Sequence, residues 1–233
     1  MKQLLLLIFI LCLPGAVYSG ETESKFVIDQ NKLLAHELQT FEYTIAKDEN
    51  NNQKQVLGVL LIDRPPSEVW EVLKDWKLMA ELVPDVEYYR TVTELKPIQK
   101  NSIGQSFIEC KVSIPLFDFL FTLDVQFDES LYRQEWHLIK PEDVRIYNLI
   151  GIPVKDPTDT IKNIEGFMIA EPFEHGKKTV YQFSLTIEFS TVLPEFVESY
   201  MVENLLTEHL KGVKKRVESH GLYLPPSLFE SPF

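Results

Sequence analysis

A chain of 233 residues with 45% apolar residues, 9 glycines and 14 prolines has the make-up of a globular protein, not a disordered or fibrous one. Its formal net charge of −12 leaves no electrostatic footprint for nucleic acid and gives little attraction to anionic lipid surfaces. With Cys12 and Cys110 as the two cysteines, a disulfide framework is not expected.

The chain opens "MKQLLLLIFILCLPGAVYSG": one basic residue, Lys2, then an apolar run from Leu4 to Leu13 that Pro14 and Gly15 terminate. The run is too short to span a bilayer, and Val17 and Ser19 stand where small residues precede a cleavage. Residues 1–19 therefore read as a signal peptide cut near Ser19 or Gly20, with an uncleaved anchor as the alternative. Cys12 follows Leu11 instead of a small residue, so lipoprotein processing is not expected. Loss of Lys2 moves the charge from −12 to −13 and leaves Cys110 as the one thiol. Export to a periplasmic or secretory space is the expected location.

Residues 20–39 form a lead-in in which "NKLLAHEL" (Asn31 to Leu38) suits a short helix. "TFEYTIAK" and "KQVLGVLLI" flank the turn cluster "DENNNQ" and read as a β-hairpin. Pro65 and Pro66 end the second strand, since neither offers an amide to a ladder, and Pro66 suits the first turn of a helix. Val69, Trp70, Leu73 and Trp76 recur at helical spacing, and a second short helix stops at Pro84. "VEYYRTVTEL" resumes a strand. Four alternating strands follow around Ser106–Ile114, Phe119–Asp128, Tyr132–Lys140 and Thr179–Ser190, with a less regular one at Ile164–Phe173. Alternation of this kind marks half-buried antiparallel sheet. A long helix from about Pro194 to His220 carries acidic residues at its start and basic ones at its end, as the helix dipole favours. Residues 223–233 read as an irregular tail.

This α+β order, and the stretch "LLIDRPPSEVWEVLKDWKLMAELVPDVEYY" in particular, resembles the START-like superfamily, especially its polyketide-cyclase/coenzyme Q-binding branch. Pro66, Val69, Trp70, Asp75, Pro84 and Val86 carry the resemblance, and "LPEFVESYMVENLLTEHLKGVKKRV" is similar to the family's C-terminal helix. It spans Thr40 to Leu222; the segment Pro141 to Ile161 and the tail depart from it. The resemblance implies a helix-grip fold over residues 40–222: a curved antiparallel sheet wrapped around the long helix, two short helices after the first core strand, and a ligand cavity between sheet and helix.

Strand parity points Ile108, Val112, Phe119, Phe121, Phe127, Trp136, Phe183 and Phe189 toward the helix, with Cys110, Gln134 and Tyr181 as the polar members of those faces. Such side chains either fill a core or line an apolar pocket. The expected ligand-lining set is Tyr88, Cys110, Phe119, Phe121, Trp136, Phe183 and Tyr200. Leu116 and Phe117, at a turn tip beside Pro115, are the expected mouth. Hairpin counting sets them at the same end as Pro141–Ile161, which reads as a lid or a solvated insertion. Glu109, Asp118, Asp124 and Glu188 fall on the opposite, outward faces; Asp124 and Glu188 are expected to be exposed while Phe121 and Phe183 are buried, and His209 and His220 are expected on the solvated side of the last helix.

The chain has no HExxH, paired-cysteine zinc pattern, Gly-rich phosphate loop or GxSxG. The inward faces lack the positioned acid and base that hydrolysis or cyclisation needs. The expectation is a monomeric, non-enzymatic protein with no cofactor or metal. It binds and transfers a lipid-like molecule, touches membranes only transiently and does not bind nucleic acid. A cyclase or dehydratase on the same fold and a protein-binding adaptor are the alternatives.

Overall fold

The computed structural model describes residues 27–48, 51–95, 103–114, 117–190, 197, 200 and 205–224. The signal-peptide reading, the start of the last helix, Leu116 and most of the tail lie outside these residues. Among those described, α1 (Gln30–Leu34) precedes the hairpin β1 (Gln39–Asp48) and β2 (Asn51–Ile62). Then come α2 (Pro66–Leu73), α3 (Trp76–Leu82), β3 (Val86–Leu95), β4 (Gly104–Ile114), β5 (Phe117–Asp128) and β6 (Arg133–Leu138). The chain continues through α4 (Pro141–Leu149), β7 (Ile161–Phe173), β8 (Lys178–Phe189) and α5 (Thr207–Glu218). The strands form one antiparallel sheet in the order β1-β2-β8-β7-β6-β5-β4-β3. From β2 the chain crosses through α2 and α3 to the far edge, then returns strand by strand until β8 pairs with β2.

The crossover starts where the prolines require. Pro66 occupies the first turn of α2, which buries Pro66, Val69, Trp70 and Leu73. The Asp75 carboxylate caps α3 by accepting from the Leu78 amide at 3.0 Å. The inner face of the sheet follows the expected parity: Phe119, Phe121, Leu123 and Val125 of β5, Ile108, Cys110 and Val112 of β4, and Trp136 of β6 join one core with α2, α3 and α5. Close approaches seat these parts. Gly58 of β2 leaves space that the Leu210 side chain of α5 fills, and a Cβ at Gly166 of β7 would lie 2.3 Å from the Ser184 carbonyl oxygen and 2.6 Å from the Trp136 indole.

The opposite face is not open to solvent, which corrects two expectations. Asp124 and Glu188 do point away from α5, but they are only 3% and 6% exposed. The segment 141–161 is not a lid: among its residues only the last, Ile161, lines the cavity. It contains α4 and covers the outer face, where Val144, Ile152 and Val154 cluster with Phe107 and Ile139, and Tyr147 meets the Phe107 ring edge-on at 5.3 Å. The short β6 leaves the first half of β5 without a ladder partner on that side, its other side being paired with β4. The Ile139 and Thr158 amides donate instead to the carbonyls of Thr122 and Leu120, at 3.0 and 2.8 Å. Asp124 beneath this cover accepts from Gln105 Nε2 at 2.8 Å and from the Tyr147 hydroxyl at 3.3 Å. Glu109, 1% exposed, accepts from the Tyr88 hydroxyl at 2.8 Å and Arg90 at 2.7 Å, with Lys155 at 3.2 Å. Burial alone would raise its carboxyl, but the Tyr88 hydroxyl and the Lys155 and Arg90 cations outweigh it and hold it below the usual carboxylate range. Glu188 pairs with Lys162. A second cluster, Leu33, Leu57, Val59, Leu61 and Val180, buries the outer face beneath α1.

Because a methyl group at Gly166 would collide with both backbone and indole, Gly166→Ala should lower the unfolding free energy by about 1–3 kcal/mol. Urea titration read by Trp fluorescence checks this; an unchanged midpoint would mean that Trp136 is free to move aside.

Candidate functional site

A cavity of about 110 Å³ lies between the inner face of the sheet, α3 and α5. Trp76 and Met79 of α3, Tyr89 of β3, Cys110 and Val112 of β4 and Phe119, Phe121 and Leu123 of β5 line one side. Trp136 of β6, Met168 of β7 and Phe183, Leu185, Ile187 and Phe189 of β8 line the other, and Leu205, Leu206 and His209 close it from the last helical segment. An apolar core left with this much unfilled space forgoes roughly 2–3 kcal/mol, at about 24 cal/mol per Å³. A dry apolar cavity of similar size accepts a single aromatic ring. Strand β8 shows the space directly. Its inward Phe183, Leu185, Ile187 and Phe189 are only half-buried, whereas the polar Gln182, Ser184, Thr186 and Glu188 on its other face are buried. In a filled core the inward side chains would be buried as well.

No Asp, Glu, Lys or Arg is among the described lining residues. The titratable groups there are Tyr89, Cys110 and His209, and all are held uncharged. Burial pushes the Tyr89 phenol up, with a small addition from Cys110, and burial followed by the nearby Glu109 charge pushes the Cys110 thiol up. Burial holds the His209 imidazole down at about 3. His209 is 6% exposed; its Nε2 lies 2.7 Å from the Tyr181 hydroxyl, and its ring centroid lies 4.3 Å from that of Phe183. Tyr181, 0% exposed, stands behind it.

Five of the nine residues expected at the ligand or its mouth line the cavity: Cys110, Phe119, Phe121, Trp136 and Phe183. Tyr88 does not. A bulge between Val86 and Tyr88 advances the register, so Tyr89 pairs with Cys110 and faces inward while Tyr88 turns outward to Glu109. The Tyr200 hydroxyl donates to the Asp85 carboxylate, and that hydrogen bond, followed by burial, pushes its phenol up to about 12. Tyr200 is not among the described lining residues. Phe117 packs against the core, its ring stacked 6.1 Å from that of Phe119, and Leu116 lies outside the described residues. His209 was expected on the solvated face of the last helix. It instead shares the buried stripe with Leu206 and Val213, three residues after one and four before the other. That spacing is the signal that would have found it.

Elsewhere, His36, Asp63 and Glu218 bring potential metal-ligand atoms within 4.8 Å of one another. The Lys214 ammonium is already there, donating to the Leu61 carbonyl at 2.8 Å and to Glu218, and the Asp63 amide donates to Glu218 at 3.0 Å. The group is an ion-paired clasp holding the end of α5 to the end of β2.

No family model and no curated protein sequence matches the chain. Solved structures do. TTHA0849 from Thermus thermophilus is 18% identical over 71% of this chain and 98% of its own, with a TM-score of 0.51. A START superfamily protein from Mycobacterium smegmatis is 13% identical over 71% of this chain and 98% of its own, with a TM-score of 0.52. The Zhui aromatase/cyclase from Streptomyces covers 79% of this chain and 93% of its own at 11% identity, with a TM-score of 0.47. At such identities the likeness concerns the fold, and with the sheet order and the seat of the last helix it identifies the architecture: the chain has the START-like helix-grip fold.

Proposed function

We propose that the protein binds a hydrophobic small molecule in the cavity beneath α5 and carries it without altering it chemically. The observation that carries this reading is an unfilled space whose described lining is apolar apart from groups held neutral. Pockets of this make-up are the usual form of small-molecule sites. A cyclase or dehydratase would need a proton donor or acceptor poised near neutral pH. The imidazole in the described lining titrates at about 3 and is a weak base there. We further propose that residues 1–19 are a signal peptide and that the carrier acts outside the cytoplasm, on the strength of Lys2 and the Leu4–Leu13 run. Among the described residues no helix is long and apolar enough to cross a membrane.

The binding test uses ethylbenzene, an uncharged probe with the one ring that a space of this size admits, titrated by isothermal calorimetry. The purified chain should bind it saturably, and Ile187→Trp, which fills the cavity without burying a charge, should weaken binding at least about tenfold, a loss of about 1.4 kcal/mol. Equal binding by wild type and variant would place the probe elsewhere and sink the cavity reading.

His209 also gives the protein a pH signature. The unfolded chain takes up a proton there below about 6.5 and the folded chain only below about 3. The unfolded state therefore binds more protons in that window, so the stability associated with neutral His209 is fully present above 6.5 and is lost as pH falls. Unfolding free energy should drop by about 2 kcal/mol between pH 7 and pH 5 through this group. His209→Phe should flatten the slope measured by urea titration at each pH, and an equally steep slope in the variant would assign the effect to other groups.

Edman sequencing of protein recovered from its native cell should begin near Gly20 or Glu21; an intact Met1 in a cytosolic fraction would refute the export proposal.

A further inference from the structure

His209 is one of the polar groups the cavity presents, beside Tyr89 and Cys110, and its two ring nitrogens are not equivalent. Nε2 faces the Tyr181 hydroxyl at 2.7 Å. Tyr181 is fully buried and has no other described hydrogen-bond partner for its hydroxyl proton. A buried hydroxyl must donate somewhere, and the Nε2 lone pair is the acceptor within reach. With Nε2 accepting, a neutral imidazole carries its proton on Nδ1. Nδ1 makes no hydrogen bond among the described residues, although the side chain is more than nine-tenths buried and lines the cavity. It is therefore a donor without a protein partner there, in a space with no ionised group among its described lining to attract a charged ligand.

We infer that His209 Nδ1–H is the recognition group of the site, that Tyr181 is the positioning residue that sets its tautomer, and that the ligand is an uncharged apolar molecule bearing one acceptor oxygen, a carbonyl, ether or hydroxyl. The inference rests on the cavity reading above and deepens it. A carboxylate or phosphate would lose its hydration and meet only neutral donors, with no cation in the described lining to replace the lost water. A hydrocarbon would fill the space but leave the Nδ1 proton unpaired. A neutral molecule with one acceptor satisfies both requirements.

Three one-ring probes separate these cases: ethylbenzene, acetophenone and benzoate, each titrated into the chain at pH 8 by isothermal calorimetry. Wild type should bind ethylbenzene and acetophenone and reject benzoate. His209→Phe keeps an aromatic ring against Phe183 and should weaken acetophenone about tenfold while leaving ethylbenzene within about twofold. The ¹⁵N spectrum of wild-type His209 should show the proton on Nδ1 and a shift of that signal with acetophenone; Tyr181→Phe should give a mixture of tautomers and weaker acetophenone binding. Undiminished acetophenone binding by His209→Phe, a wild-type proton found on Nε2, or tight benzoate binding each overturns the inference and leaves the cavity reading intact, provided ethylbenzene still binds. Failure of wild type to bind either neutral probe defeats the cavity reading and the inference together.

Discussion

The seat of α5 on the inner face of the sheet is the constraint on which the rest of this structure depends. A helix resting on a curved sheet cannot touch every strand equally, so close contact at one end leaves space at the other. Here the close contact is at β2 and α3. The Leu210 side chain occupies the space above Gly58, and Gly212 brings the helix to the Leu82 carbonyl, where a Cβ would stand 2.9 Å away. The clasp of Lys214 and Glu218 on the end of β2 holds the same side. Farther along β5, β6 and β8, the aromatic side chains face a space the helix does not fill. The cavity follows from where the helix is anchored, because dense packing at the anchor prevents it from settling onto the remaining strands.

Leaving that space costs stability, and the outer face supplies compensation. Most half-buried sheets leave one side in water, but this one has α1 over β2 and the α4 segment over β4 and β5. The carboxylates caught underneath are tolerated because each has partners: Glu109 has two cations and a phenol, and Asp124 has an amide and a phenol. A buried charge without such partners would cost several kcal/mol. The two faces thus divide the work: ionised groups are confined to the outer side, and the inner side remains free of them among the described residues.

That division gives the cavity its chemical character. Charged groups one strand-step away, such as Glu109 beside Cys110, point through the opposite face of the sheet. Tyr89, Cys110 and His209 remain neutral because burial penalises their charged forms. A neutral, apolar lining of this kind suits an apolar guest.

Local patterning determined much of this by itself. Pro65 and Pro66 set the end of β2 and the start of α2, because a missing amide acts wherever the residue stands. The alternation in β5 and β8 assigned inward faces, because a period of two is a property of any extended strand. Tertiary structure decided the rest. The bulge after Val86 exchanged Tyr88 for Tyr89, and only the pairing of β3 with β4 makes that bulge visible. Asp124 and Glu188 have the polar alternation of exposed residues yet are buried, because sheet parity specifies a direction and says nothing of what lies in that direction. The burial of His209 was readable from its helical spacing with Leu206 and Val213, but its hydrogen-bond partner is Tyr181, 28 residues earlier and on another element. The space beside it was beyond the sequence altogether. The same aromatic side chains can fill a core or line a pocket, and the choice rests on the distance between helix and sheet, which is set by contacts at Gly58 and Gly212 and by no property of the aromatics themselves.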